Sequence, residues 1–272
     1  MKKRIKDIIF WVVTLGVIGW TAKTALQMYV FVSFRVPTGS MEPTISPDDH
    51  VLVNRLAYGR RTFTCSLDSV RHGDIERHSG YSSPHHNDIV VFNTPIYNGW
   101  DTISFNKLQY FVKRCIALPG DTFEIRGGYY HASSFSGDLG NIDAQNDLAK
   151  FTEDTTIRYR EDFPYWTAPF YHPVYHWNVR EMGPLYVPQR GDTIHLDTIT
   201  APIYLKFVEW ELNKDIVERD GHFFIDDEEI TQHVMQQGYY FMAGDNVLAS
   251  QDSRYWGLVP EEFIVGRVCF IY

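Results

Sequence analysis

The sequence predicts a mainly β protein: coiled antiparallel sheets in a barrel-like core, a large β-rich insertion and one N-terminal transmembrane helix. Three observations carry that prediction. One long uncharged apolar run sits directly behind a basic cluster at the amino end. After it, the apolar runs shorten to strand length and are bounded by Gly, Pro, Asn and Asp, the pattern of many short strands with turns between them. Amphipathic runs of helical period are scarce.

Lys2, Lys3, Arg4 and Lys6 precede Ile8 to Ala22, which carries no charge; Lys23 interrupts, and Thr24 to Phe34 is again uncharged. A helix over residues 8 to 28 is ~31 Å long at 1.5 Å per residue, about one hydrocarbon thickness. Lys23 then snorkels toward the far interface, with Trp20 and Tyr29 as interfacial anchors. Thr21-Ala22 followed by Lys23 is a poor cleavage site, so the segment reads as a retained anchor rather than a removed leader. Its basic end is expected in the cytoplasm, with the remaining chain on the outer, periplasmic face of the cytoplasmic membrane.

Strands follow. His50 to Leu56 alternates, Asp88 to Phe92 is a short apolar run, and Tyr110-Phe111-Val112 leads into Lys113. Leu118-Pro119-Gly120-Asp121 is a turn signal before Thr122 to Ile125. Gly221 to Ile230 reads as a hairpin with an acidic turn, and Tyr239 to Met242 and Ile264 to Ile271 read as closing strands. Residues 60 to 87, polar and rich in Ser, His and Arg, read as a loop excursion. Residues 127 to 238, broken by Pro164, Pro169, Pro173, Pro184 and Pro188, read as an insertion. The expected organisation is a basic end and anchor (1–33), a first part of the core (34–126), the insertion (127–238) and a closing part (239–272).

The chain has 272 residues, 44% of them hydrophobic, and a net charge of −9. The apolar content excludes a disordered chain, and the acidic balance argues against a nucleic-acid partner, which needs clustered Lys and Arg. Cys65, Cys115 and Cys269 are widely spaced with no CxxC, so a zinc site is not expected; they read as buried small hydrophobes or one optional disulfide. His72, His78, His85 and His86 lack a ligand spacing and read as a polar loop. No metal and no cofactor is expected.

Three separated segments carry the chemistry: Pro37 to Ile45, Val112 to Asp121, and Gly244-Asp245-Asn246 with Ser250 to Gly257. Pro37 and Pro43 pin a short segment in which Gly39 permits a tight backbone before Ser40. A serine hydroxyl needs a base to become a nucleophile, and no Gly-x-Ser-x-Gly elbow is present. A neutral lysine serves, and Lys113 follows apolar residues on an expected strand. Moving its pKa from ~10.4 to near 8 costs about 3 kcal/mol, which burial supplies. Taken singly, a serine in a Pro/Gly loop is a turn residue and a lysine beside Arg114 is a surface charge.

Together, in this order behind an anchor, the segments resemble the type I signal peptidases, which remove signal peptides from exported preproteins. The resemblance covers the anchor, Phe34 to Tyr58, Asp88 to Ile125 and Tyr239 to Val268. It implies Ser40 as nucleophile, Lys113 as general base, and the Ser40 amide with the Thr38 hydroxyl as oxyanion donors. It further implies Ser250 as the serine that hydrogen-bonds the lysine amine, and Asp252 with Arg254 as an ion pair under the site. Phe34, Val36, Pro37, Met41, Ile45 and Val112 match walls of shallow pockets for small residues, implying Ala-x-Ala-like segments of exported preproteins as substrate. The chain departs from the pattern at Val247-Leu248-Ala249, which leaves the polar surroundings of Asp245 open. Two other readings of the Ser/Lys pair are a self-cleaving regulator and an inactive anchored homologue that binds exported peptides. Trp100, Phe105, Tyr110 and Phe111, just before Lys113, read as core or as a surface that dips into membrane lipid.

Overall fold

The computed structural model describes residues 2–65, 70–96, 102–150 and 174–272. The N-terminal helix α1 runs from Lys2 to Tyr29, and its stretch Arg4–Thr24 is long and apolar enough to cross a membrane. Its apolar side chains stand clear of the protein: Phe10, Trp11, Leu15 and Trp20 are all more than half exposed. A helix that is apolar on every side and covered by no other element has hydrocarbon as its natural solvent.

Seven strands form the central sheet: β1 (Phe31–Arg35), β2 (His50–Asn54), β3 (Ile89–Asn93), β4 (Tyr110–Ala117), β5 (Tyr239–Ala243), β6 (Val259–Pro260) and β7 (Ile264–Ile271). Their order is β1-β2-β7-β3-β4-β5-β6, and every pairing is antiparallel. Register shifts at 241/242, 264/266 and 268/270 bend β5 and β7, as bulges do. The sheet therefore curls into a half-barrel, and Phe34 on β1 meets Tyr110 on β4 at 4.8 Å between ring centroids although three strands separate them in the order. Val36, Met41, Ile45, Val51, Val53, Val91 and Val265 form one apolar cluster of this core.

The mainly β expectation holds, with the single apolar helix at the amino end. Two local expectations do not. Residues 60 to 87 contain a short hairpin, Arg61–Phe63 paired with Ile75–Arg77, held because Arg77 donates to the carbonyls of Tyr58, Gly59, Glu261 and Ile264. Among its described residues, the region from 127 to 238 holds two helices, α2 (Ile142–Ala149) and α3 (Ala201–Leu212). α3 carries no stripe because it is buried on two sides: Tyr204 and Phe207 join the main core while Val208 packs toward Ile216 and Phe223. The acidic-turn hairpin is present, with Asp226 and Asp227 both at positive φ between Ile225 and Glu228, the backbone of a two-residue hairpin turn.

The main apolar core is shared. Phe123, Tyr130, Leu148, Tyr204 and Phe207 pack in one cluster with Phe92, Cys115, Phe241 and Trp256. Phe105, partly buried, packs against this core, its ring 5.6 Å from Phe63 and 5.3 Å from Phe263; Trp100 lies outside the described residues. Among the cysteines, Cys115 is buried, Cys65 is partly covered and Cys269 is exposed, and no disulfide joins them. Cys269 stands outside the core because it sits at the β7 bulge opposite β2, its thiol on the Leu52 carbonyl.

Candidate active site

The site is assembled where the turn after β1, the strand β4 and the loop after β5 meet. The turn is built by its own backbone: Glu42 N–H donates to the Gly39 carbonyl and Ile45 N–H to the Met41 carbonyl. Asn246 clamps it from the opposite side, its side-chain amide donating to the Gly39 carbonyl at 3.1 Å and its N–H to the Ser40 carbonyl at 3.2 Å. Gly244 makes that approach possible, since a Cβ there would collide with the Ser250 hydroxyl and the Ser40 carbonyl.

The pleat of β4 places Phe111, Lys113 and Cys115 on one face and Val112 and Arg114 on the other. This alternation resolves the Lys-Arg pair: the two adjacent cations enter different surroundings. Lys113, 2% exposed, donates from Nζ to Ser40 Oγ at 2.5 Å. Burial brings its ammonium down to about 8, with Arg254 lowering it further and Asp252 and Asp245 opposing. Arg114 instead pairs with Asp245 through Nε at 2.7 Å and Nη2 at 2.5 Å, and Thr44 Oγ1 donates to the same carboxylate. Asp245 is thus satisfied without polar residues at 247 to 249; those form a 3₁₀ turn, and Val247 fills the main core. The role of Arg114 was hidden in the sequence because its partner is 131 positions away.

The floor is a buried ion pair. Arg254 donates to both oxygens of Asp252, at 2.8 and 2.7 Å, and Gly244 N–H donates to the same carboxylate at 3.0 Å. Asp252 also caps the short helix α4 (Ser253–Trp256). Ser250 is fully buried beside Gly244, but its hydroxyl donates to the Gln251 carbonyl at 3.4 Å. Among the described residues Ser250 makes no hydrogen bond to Lys113, whose ammonium faces Ser40 instead.

Thr38 is exposed two residues before Ser40. Neither the Ser40 amide nor the Thr38 hydroxyl has an acceptor among the described residues. Phe34 and Val112 are half-buried and Pro37 is exposed, so these three border the open side of the site. Val36, Met41 and Ile45 lie deeper, at 4%, 0% and 0% exposure, in the apolar cluster beneath it.

Fold and site define a class: a serine hydrolase in which the hydroxyl faces a buried amine instead of an imidazole. The family model described as signal peptidase, peptidase S26, matches residues 5–132 and 190–272, and the chain belongs to that family. Signal peptidase I of Aquifex aeolicus is 26% identical over 250 residues, covering 91% of this chain and 77% of that one. The same enzyme of Buchnera aphidicola from Acyrthosiphon pisum is 24% identical over 253 residues, covering 91% and 69%. That of Pseudomonas aeruginosa is 24% identical over 257 residues, covering 91% and 66%. The chain is accordingly a membrane-anchored serine endopeptidase of the signal peptidase family, whose members remove signal peptides.

Proposed function

We propose that this chain cleaves exported preproteins after Ala-x-Ala-like segments, with Ser40 as nucleophile and Lys113 as general base. The observation that carries the reading is the buried Lys113 amine on the Ser40 hydroxyl, poised near 8 with no carboxylate within bonding distance among the described residues. In the first step Ser40 Oγ attacks the scissile carbonyl carbon as its proton passes to neutral Lys113 Nζ. The negative charge that develops on the carbonyl oxygen is accepted by the two unengaged donors, the Ser40 N–H and the Thr38 hydroxyl. Lys113 then gives its proton to the leaving amine nitrogen as the C–N bond breaks, leaving an ester on Ser40. Water, losing its proton to Lys113, attacks that ester; the released Oγ recovers a proton and the signal peptide leaves as a carboxylate.

Phe34, Pro37 and Val112 at the open side, with Val36, Met41 and Ile45 beneath, form apolar walls suited to small side chains. Asp252 and Arg254 hold the floor, and Ser250 packs the loop beside Gly244. The substrate adds as an extended strand, in the manner of β-augmentation. The basic amino-terminal end of α1 lies in the cytoplasm and the site on the outer face of the cytoplasmic membrane, at the lipid surface. Residues 127–238 elaborate a core made of 34–126 and 239–272, with 1–33 as basic end and anchor.

The test is a cleavage assay on a preprotein with the full chain in detergent. Ser40→Ala and Lys113→Ala are each expected to lose at least ~10³-fold in rate; wild-type rates in either variant would reject the dyad.

A further inference from the structure

The proposed mechanism gives no task to the buried lysine of the insertion helix. Lys206, in the middle of α3, is 5% exposed, and its ammonium donates to the Trp256 carbonyl at 2.6 Å. Trp256 ends α4, where a helix has carbonyls without intrahelical donors. The indole of Trp256 lies face to face with Phe111, centroids 5.0 Å apart and planes 4° apart. Phe111 shares its face of β4 with Lys113, whose Nζ is 5.5 Å from the ring centroid. An unbroken series of contacts therefore runs from the insertion helix to the amine at the serine.

We infer that Lys206 is a positioning residue, which by holding the Trp256 carbonyl keeps the Trp256–Phe111 stack against Lys113 and water away from it. The inference rests on the reading of Lys113 as the base. The physical reason is that the lack of water around the ammonium makes it lose its proton more readily, and an aromatic wall excludes water only while it stays in place. A buried ammonium is costly to keep, and a lysine used merely to fill space in α3 would be replaced at no loss by Met. The charged groups facing Lys113 are Asp252 and Arg254 on the floor and Asp245 beyond β5. Lys206 is not among them, so it acts through the ring stack and not through its charge.

The experiment is a ¹³C-lysine NMR titration of Lys113 in the full chain in detergent micelles, assigned with Lys113→Met, which needs no cleavage. Lys206→Met is expected to raise the Lys113 midpoint by about one pH unit as water enters, and Lys206→Arg, which retains a donor, to leave it in place. An unchanged midpoint in Lys206→Met overturns the inference even if that variant melts earlier. Should Lys206→Met fail to fold, Phe111→Leu decides: it removes the stacked ring directly, and an unchanged midpoint there overturns the inference too. If the midpoint moves as expected while the wild-type chain cleaves no preprotein, the positioning role stands and the assignment of Lys113 as base falls.

Discussion

Lys113 on β4 and Arg254 on the floor are each 2% exposed, yet the two regions treat their charges in opposite ways. Lys113 bonds to a hydroxyl, and burial carries it down to about 8. Burial works against Arg254 as well, but the bidentate Asp252 carboxylate outweighs it and holds the guanidinium well above its ordinary range. The difference teaches that burial sets the cost of a charge and the partner decides whether it is kept. The floor keeps its charge as structure; the wall keeps an amine that can lose its proton.

The sharpest way to break this contrast is to leave one charge of the floor alone. Arg254→Met strands Asp252 and is expected to cost about 3–5 kcal/mol of stability, read by thermal unfolding in detergent. The double variant Asp252→Asn with Arg254→Met should lose less; a larger loss would contradict the paired-charge account.

Lys113 should show the reverse. Its pKa falls from 10.5 in the unfolded chain to about 8 in the fold. Between those values only the unfolded chain holds the proton, so stability rises with pH from about 8 to about 10.5. Below about 8 the fold carries the whole cost of the ammonium, on the order of 3 kcal/mol at 1.36 kcal/mol per pH unit. Lys113→Met is therefore expected to be more stable than wild type at pH 7 and to abolish cleavage. Equal melting of the two at pH 7 would show that the amine is not strained.

The same value sets the rate profile. Cleavage by wild type should rise about tenfold between pH 7 and pH 9, following the neutral fraction of the amine, and an optimum near pH 5 would reject a lysine base. The smallest effect is expected at the clamp on the nucleophile turn. Asn246→Ala removes one hydrogen bond to Gly39, worth about 1 kcal/mol, and should slow cleavage by about fivefold without moving the pH midpoint; a displaced midpoint would tie Asn246 to Lys113 instead.

The strands of the core were legible because each shows its own local signal. Alternation marks His50–Asn54, and a Pro-Gly-Asp turn precedes Thr122–Arg126. The helix α3 was not legible, since a helix buried on two sides loses the amphipathic stripe that marks one. Nor was the hairpin Arg61–Phe63 with Ile75–Arg77, whose strands are too short to alternate and are held by arginine bonds to distant carbonyls. In the site, Ser40, Lys113, Asp252 and Arg254 were named from their segments, and the structure brings them together. The partners Arg114, Thr44 and Asn246 emerged only with the fold, and the expected bond from Ser250 to the lysine amine is replaced by one to Gln251.

The sequence by itself determined the membrane helix, the β class and the three segments that meet at the serine. Composition and period are local properties, and an uncharged run or a Pro-Gly turn acts the same way in any fold. Only the tertiary structure decided which cation loses its proton more easily and which is kept. That outcome depends on the groups enclosed with each charge, and residues 40, 113, 206 and 254 become neighbours or remain apart solely through the curl of the sheet and the packing of α3.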